Sequence, residues 1–370
     1  MPDLFAPATM GPLPLANRFL RSATFEGRAG DQGQVTKSLT DMMVDLARGQ
    51  VGLIISGHTF VSPEGRAGQR QLAVDNDGLV AGLTGMVQAV HGAGGKMALQ
   101  LAHSGAMADS ALTGREAIGP SAYANEKQAP CRAATTADLK AIVAAFAQGA
   151  DRAKQAGFDA VQIHGAHGYL LSQFLSPAFN HRTDNYGGSL ANRVRLPLEV
   201  IRAVRETVGP DYPVLMKLNA EDFIPGGLTP QDSAQAAALF AKASVDGLEL
   251  SGGCRPAKKF MAARPGDPKT MADQGYYRET AKLIRQATRI PLAMVGGIRN
   301  PEAAEELLAQ DLADFIALCR PLIREPGLVK RWASGDRRRS TCTSDNACYV
   351  PAFDGRGLYC VTREKKKEEI

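Results

Sequence analysis

The sequence lacks several features that would assign it to common protein classes. No stretch approaches the roughly 20 consecutive apolar residues of a membrane-spanning helix, and the first residues lack the basic and apolar regions of a secretory signal. Six cysteines in 370 residues are too few for a disulfide scaffold. The net charge of +5 comes from scattered basic residues and gives no nucleic-acid footprint. We therefore expect a cytoplasmic protein that binds neither membranes nor nucleic acid.

The sequence does contain a regular alternation of short apolar runs and longer helical patterns. The runs that predict buried strands are Phe19–Ala23, Gly52–Ser56, Met97–Leu101, Ala160–His164, Val214–Leu218, Gly247–Ser251, Leu292–Val295 and Phe315–Leu318. Helical spacing is clearest from Thr136 to Ala150 and from Leu198 to Val208, and Pro301 marks another helix start.

Strands that alternate with helices in this way predict an α/β fold with a parallel sheet, and this number of strands closes a (β/α)8 TIM barrel. An open, doubly wound sheet is the alternative, but no glycine-rich dinucleotide fingerprint follows the first strand. We predict one barrel domain over residues 1–335 and a C-terminal tail over residues 336–370. Residues 102–135 form a long, irregular segment that is expected to cap one face of the barrel.

Polar or glycine-rich residues follow each predicted strand, where a barrel carries its chemistry. In the run HGAHGYL, His164 and His167 can project from one turn towards a common point. Such a pair can bind a metal, with His58 or His103 as a possible third ligand, or it can donate hydrogen bonds to a developing oxyanion. We favour the oxyanion pair, with Tyr169 as a proton donor of suitable reach. Simple packing of both histidines is the remaining alternative.

At this motif the sequence resembles the Old Yellow Enzyme family and the related dienoyl-CoA reductases. The run HGAHGYLLSQFLSPAFNHRTDNYGGSLANR, from His164 to Arg193, is similar to the family signature. Three further segments resemble family motifs: LFAPATMGPLPLANRF near the start, LQLAHSG in the third strand and CRPLIREP after the last. The resemblance covers residues 3–330 and implies an FMN-dependent barrel. Such an enzyme would take a hydride from NAD(P)H and reduce an activated carbon–carbon double bond of a small molecule, such as an enone.

The resemblance also implies which residues contact the flavin ring. Ser22, Ala23 and Thr24 would line it through their backbones. Gln100 would hydrogen-bond its pyrimidine edge, because an amide donates and accepts at once. Lys217 would place a cation near flavin N1 and stabilise reduced FMN. A structural lysine with a carboxylate partner is the alternative interpretation of Lys217.

The same resemblance places the phosphate at the ends of the last two strands. Gly296 and Gly297 would let backbone N–H groups approach it, and Arg320 would add charge. Cys319 replaces a glycine that often precedes this arginine, and its N–H would still bind phosphate.

On the substrate side, His164 and His167 would grip the substrate oxygen, and Tyr169 would protonate the carbon alpha to it. Two further positions depart from the family pattern. Phe25 falls where many relatives carry Thr or Cys beside flavin O4. Its ring cannot donate the hydrogen bond that tunes the flavin there, so the redox potential and the shape of the substrate pocket that Phe25 lines stay open. His58 stands where relatives carry a small residue that touches the ring through its backbone, and its side chain is expected to point away.

The tail contains three cysteines, and relatives with a second, nucleotide-binding domain carry four near this point for an iron–sulfur cluster. Asp345 stands at the place expected for the fourth cysteine, between Cys342 and Cys348, and Cys360 follows. Three thiolates do not make the usual four-ligand cluster site, so we expect no metal here. An iron–sulfur cluster or a zinc ion bound by Cys342, Asp345, Cys348 and Cys360 is the alternative.

Two other functions stay open. A chain similar to dienoyl-CoA reductases or amine dehydrogenases would receive electrons from a partner protein through a tail cluster. A flavin-binding protein without turnover is the other possibility, although it would not need the histidine donors. The family includes monomers and larger assemblies, so a homo-oligomer is possible.

Overall fold

Parallel strands close into a ring in the computed structural model, which describes residues 3–125 and 128–368. Within these ranges the eight ring strands are β1 Phe19–Arg21, β2 Leu53–Ile55, β3 Met97–Ala102, β4 Ala160–Gly165, β5 Val214–Asn219, β6 Gly247–Ser251, β7 Leu292–Val295 and β8 Phe315–Leu318. Each strand pairs in parallel with the next, and β8 pairs with β1. The predicted (β/α)8 barrel is confirmed, and the open sheet is wrong.

Helices follow the strands and surround the ring. The helices that cover the barrel are α1 Lys37–Arg48, α2 Val80–Gly92, α3 Thr136–Gln155, α4 Arg195–Val208, α5 Pro230–Lys242, α6 Arg278–Ala287, α7 Pro301–Ala309 and α8 Leu328–Ala333. The predicted helix starts at Thr136 and Pro301 are confirmed. A capping box of Thr135 and Asp138 fixes the start of α3, because each side chain accepts from the other's backbone N–H.

Both faces of the ring are buried, which explains why the strands are apolar without alternation. Leu20 and Leu215 pack with Phe315 in one core cluster inside the ring. Ile54 and Met216, which lie on the opposite faces of their strands, belong to a larger cluster beneath the helices. No helix in the described ranges is long and apolar enough to span a membrane.

Short elements complete the connections. The short strands are Ala8–Met10, Leu13–Leu15, Thr59–Phe60, Ala117–Gly119, Tyr123–Asn125 and Gln128–Ala133. The short helices are Ser110–Thr113, Leu170–Leu175, Leu190–Arg193, Arg320–Arg324, Tyr349–Phe353 and Val361–Glu368. Short 3-10 helices lie at Pro63–Gly65, Asp77–Leu79, Gly105–Met107 and Arg255–Phe260, the last of which is kinked at Lys258.

The segment 102–135 is more regular than its sequence indicates. Three short strands, Ala117–Gly119, Tyr123–Asn125 and Gln128–Ala133, pair into a small sheet within this segment. Strands this short show no clear periodicity, so the pattern alone does not reveal them. Residues 126 and 127 of the predicted cap lie outside the described residues, as do 1, 2, 369 and 370 of the predicted domains.

The tail folds back across the carboxyl ends of the barrel strands. Its Ser340 N–H donates to the carbonyl of Arg299, just after β7, at 2.7 Å. Further along, the Leu358 N–H donates to the carbonyl of Glu26, just after β1, at 2.7 Å. The tail therefore lies between the loops of the first and seventh strands.

A buried ion pair joins the loops after β1 and β2. Arg21 and Glu26 lie 3.0 Å apart, with side chains 3% and 5% exposed. Glu26 also accepts from the Gly57 N–H at 2.7 Å. Burial raises the pKa of Glu26, and the Arg21 charge opposes that rise.

Glu26→Ala should lower the free energy of unfolding by about 3–5 kcal/mol, because it leaves a buried arginine unpaired. The exposed pair of Lys37 and Asp41 is the control. Asp41→Ala should cost about 0.5 kcal/mol or less. Denaturant titrations of both variants measure the difference, and equal losses would contradict this assignment.

Candidate functional site

A cavity of about 840 Å³ opens at the carboxyl ends of the strands. This volume is within the range of about 300–1,000 Å³ that small-molecule and cofactor sites occupy. Every residue predicted to contact cofactor or substrate lines it: Ser22, Ala23, Thr24, Phe25, His58, Gln100, His164, His167, Tyr169, Lys217, Gly296, Gly297, Cys319 and Arg320. The structure thus brings these residues together, and their individual roles stay predictions.

The turn after β4 presents His164, His167 and Tyr169 as one cluster. The ring centroid of His164 lies 5.2 Å from that of His167 and 5.0 Å from that of Tyr169. His167 has a φ of +64°, a strained value for a residue with a side chain. Its N–H donates to the Asn219 side chain at 3.0 Å, and its Nε2 lies 2.7 Å from the Ser251 hydroxyl. These contacts hold the strained turn in place.

The cluster is uncharged at neutral pH. Burial, followed by the nearby Lys217 charge and neighbouring histidines, lowers the pKa of His164 and of His167 well below the ordinary value. Burial raises the pKa of Tyr169 to about 12, so its hydroxyl keeps its proton. His164 Nδ1 is buried without a hydrogen-bond partner among the described residues. Neutral rings next to a protonated phenol suit hydrogen-bond donation to an anion.

Metal binding at this cluster has no geometric support. Across residues 3–125 and 128–368, no three His, Cys, Asp or Glu side chains come together as a metal site. The predicted zinc alternative for the histidine pair would need such a third ligand.

Lys217 connects the cavity to a buried polar network inside the barrel. Its Nζ lies 3.0 Å from Glu249 Oε1 and donates to the Ser22 hydroxyl at 2.7 Å. The other Glu249 oxygen accepts from the Gln162 amide at 2.9 Å. Gln162 Oε1 in turn accepts from Gln100 at 2.7 Å. Lys217 therefore has the carboxylate partner of the alternative interpretation and also lines the cavity.

The end of the cavity at β7 and β8, across the ring from the histidine turn, is positively charged. Arg299 and Arg320 are 2% and 7% exposed, and neither forms an ion pair with a carboxylate in the described residues. Arg320 donates to the Arg264 carbonyl at 2.8 Å and to Asn346 Oδ1 at 2.7 Å. Two buried guanidinium groups bound only to neutral acceptors retain net charge for an anion.

The glycine pair beside these arginines allows a close approach. Gly296 and Gly297 have φ values of +140° and +72°. A Cβ on Gly297 would come within 2.5 Å of the Tyr276 ring. Glycine is required here by both conformation and space.

The expectation that the His58 side chain points away is wrong. Its Nε2 lies 3.3 Å from the Tyr169 hydroxyl, and its ring stacks on Phe25 with centroids 5.5 Å apart. Phe25 in turn stacks on Phe353 of the tail at 5.6 Å. The amide of buried Gln71, 13 residues further along the chain, hydrogen-bonds the other ring nitrogen, Nδ1. This contact holds the ring towards the cavity.

The predicted tail residues surround a second, much smaller cavity of about 10 Å³, behind Arg320. Cys342, Asp345, Cys348 and Cys360 all line it. Burial raises the pKa of Cys348 to about 12, so this thiol stays protonated. The absence of a metal from the tail stays a prediction.

Sequence reasoning missed several residues that line the main cavity. They are Met107, Ser251, Cys254, Arg255, Tyr276, Tyr277, Arg299, Asn346, Tyr349, Val350 and Phe353. The sequence did offer a reason to select Arg299, because it follows the predicted glycine pair by two positions. No sequence pattern indicates the tail aromatics Tyr349 and Phe353, since only the fold brings them to the mouth of the barrel.

The fold and cavity define an α/β-barrel enzyme with room for a phosphate-bearing cofactor. The chain belongs to the NADH:flavin oxidoreductase / NADH oxidase family, whose sequence profile matches residues 3–338. It is therefore an oxidoreductase, and the predicted membership of the Old Yellow Enzyme group is confirmed.

Two curated relatives are similar over almost all of this chain. An NADH oxidase of Thermoanaerobacter brockii is 35% identical over 364 residues, which cover 96% of this chain and 54% of that protein. A 4,4'-dithiodibutanoate disulfide reductase of Rhodococcus erythropolis is 33% identical over 390 residues, with 98% and 96% covered. The chain thus spans about half of the first relative and nearly all of the second.

Two solved structures have the same fold. 2-Naphthoyl-CoA reductase in complex with 2-naphthoyl-CoA superposes with a TM-score of 0.88 at 26% identity, covering 96% of this chain and 56% of that one. The Old Yellow Enzyme homologue from Zymomonas mobilis gives 0.80 at 27% identity, with 98% of each chain covered.

A buried histidine near the site should make the stability of the fold sensitive to acid. His103, 1% exposed, accepts the Gly105 N–H at its Nδ1, and burial lowers its pKa from 6.5 to about 4. As pH falls through 6.5 the unfolded chain takes up this proton first, so the folded state loses stability between these two values.

At about pH 5 His103 alone should reduce the free energy of unfolding by about 2 kcal/mol relative to about pH 8. Denaturant titrations at both values measure the loss, and His103→Gln should reduce it. The same replacement at exposed His181 is the control and should change it less. An unaltered pH dependence in His103→Gln would contradict the assignment.

Proposed function

We propose that this chain is an FMN-dependent NAD(P)H oxidoreductase of the ene-reductase type. The observation that carries the proposal is the convergence of neutral His164 and His167 with protonated Tyr169 on one cavity. Donors arranged in this way stabilise negative charge on a carbonyl or nitro oxygen. We also propose, from the sequence, a cytoplasmic location and a possible homo-oligomer.

The residues at the two ends of the cavity fit FMN. Gly296, Gly297 and Arg320 would hold its phosphate, and buried Arg299 adds the charge that a dianion requires. Gln100 and Lys217 would contact the flavin ring from the barrel network. When bound, FMN would accept a hydride from NAD(P)H and deliver it to the substrate.

The chain's own side chains would then act on the substrate. His164 and His167 would each donate one N–H to the substrate oxygen, because each neutral ring carries a single proton. Tyr169 would release its proton to the carbon alpha to that oxygen. Phe25 would form an apolar wall of the pocket, continued by Phe353 from the tail.

A second candidate is a reductase that receives electrons from a partner through a tail cluster, as proposed for chains similar to dienoyl-CoA reductases. The observation that favours it is that Cys342, Asp345, Cys348 and Cys360 line one small cavity, although in the described residues they do not come together as a metal site. Iron analysis of anaerobically purified protein separates the two candidates. About four irons per chain would favour the second, and iron-free protein that oxidises NAD(P)H would favour the first.

Tyr169→Phe should slow reoxidation of the bound flavin by cyclohexenone by about 100- to 10,000-fold, because a proton donor acts only in this half-reaction. Reduction of the flavin by NAD(P)H should stay nearly unchanged. Stopped-flow absorbance follows both steps. Tyr212→Phe is the control, because the Tyr212 hydroxyl donates to the Phe158 carbonyl, outside the cavity. Equal slowing of both halves in Tyr169→Phe would mean that Tyr169 only shapes the pocket.

A further inference from the structure

The hydrogen bonds of Gln71 determine which way its amide faces. Its Oε1 accepts from the Ala67 N–H at 2.7 Å, and a backbone N–H can only donate. Its Nε2 donates to the His58 carbonyl at 3.0 Å, and a carbonyl can only accept. Both contacts agree, so the amide nitrogen faces His58.

This orientation fixes the ring proton of His58. The same Gln71 nitrogen lies 2.7 Å from His58 Nδ1. An amide nitrogen offers hydrogens and no lone pair, so Nδ1 must accept. Burial lowers the pKa of His58 to about 4, which leaves the ring neutral with one proton. That proton therefore lies on Nε2.

The Nε2–H of His58 faces the hydroxyl oxygen of Tyr169, 3.3 Å away. The phenol oxygen accepts this hydrogen bond, so its own hydrogen cannot point at His58. Tyr169 lines the main cavity, and the hydroxyl hydrogen is left free to point into it.

We propose that His58 is a positioning residue for Tyr169, an inference that rests on the proposed role of Tyr169 as proton donor. In that step the Tyr169 O–H bond breaks and its proton bonds to the alpha carbon, whose electron pair forms the new C–H bond. The Nε2–H remains as a donor to the phenolate left behind. A proton from water then restores the phenol.

Two variants separate this role from packing against Phe25. His58→Phe keeps a ring for the stack and removes the N–H. His58→Gln removes the ring but can place an amide N–H near the position of Nε2–H. We expect His58→Phe to slow flavin reoxidation by cyclohexenone about tenfold or more, and His58→Gln to recover most of the rate.

A double-mutant cycle tests whether the effect passes through Tyr169. In the Tyr169→Phe background, His58→Phe should have little further effect on reoxidation. Slowing of the same size in both backgrounds would overturn the proposal, as would a His58→Gln variant as slow as His58→Phe.

The tautomer is measurable in the resting protein, independently of any substrate. Nitrogen-15 NMR of histidine-labelled protein, with His58 assigned by its loss in His58→Phe, should show a neutral ring protonated on Nε2. Tyr169→Phe should shift the Nε2 resonance. A proton on Nδ1, or no shift in Tyr169→Phe, would overturn the proposal even if cyclohexenone proves not to be a substrate. Failure to reduce enones with the expected tautomer intact would instead count against the proposed function.

Discussion

Lys217 and Glu249 bury two opposite charges inside the barrel mouth, with side chains 2% and 1% exposed. Removing two charges from water costs several kcal/mol per ion, so the pair is tolerated only if every remaining hydrogen-bonding position is satisfied. The Ser22 hydroxyl accepts from Lys217, the Gln162 amide donates to Glu249, and Gln100 extends the network by donating to Gln162. The network therefore specifies polar side chains on five of the eight barrel strands or their ends, and three of these residues, Ser22, Gln100 and Lys217, line the cavity.

The rest of the site lies on the same face of the barrel. Because all barrel strands are parallel, their carboxyl ends meet at one face, and the loops that follow share one cavity. The Lys217 charge also reaches the histidine turn, where it helps to hold both rings neutral. One cavity therefore has a positively charged end, at Arg299 and Arg320, and an uncharged region that donates hydrogen bonds, at the histidine cluster.

Much of this arrangement was predictable from sequence. The apolar strands are short, separated by strong helical patterns and followed directly by polar residues, so both the barrel and the gathering of HGAHGYL, Lys217 and Arg320 could be anticipated. The orientation of His58 could not, since it depends on Gln71 and Ala67 across a loop. The contact of Phe353 with Phe25 could not be predicted either. Phe353 is 74% exposed and reaches Phe25 only because the tail crosses the mouth of the barrel. Partners that are brought together by loops leave no periodic signal.

The central claim is that the main cavity is built for FMN, with the phosphate between the glycine pair and two arginines that have no carboxylate partner in the described chain. The direct measurement is acid release of the bound flavin from purified, folded protein, followed by chromatography and quantification against protein. The account predicts FMN at about one per chain, with loss of flavin affinity in Arg320→Ala. Recovery of FAD, or folded protein that neither contains nor takes up FMN, would contradict it.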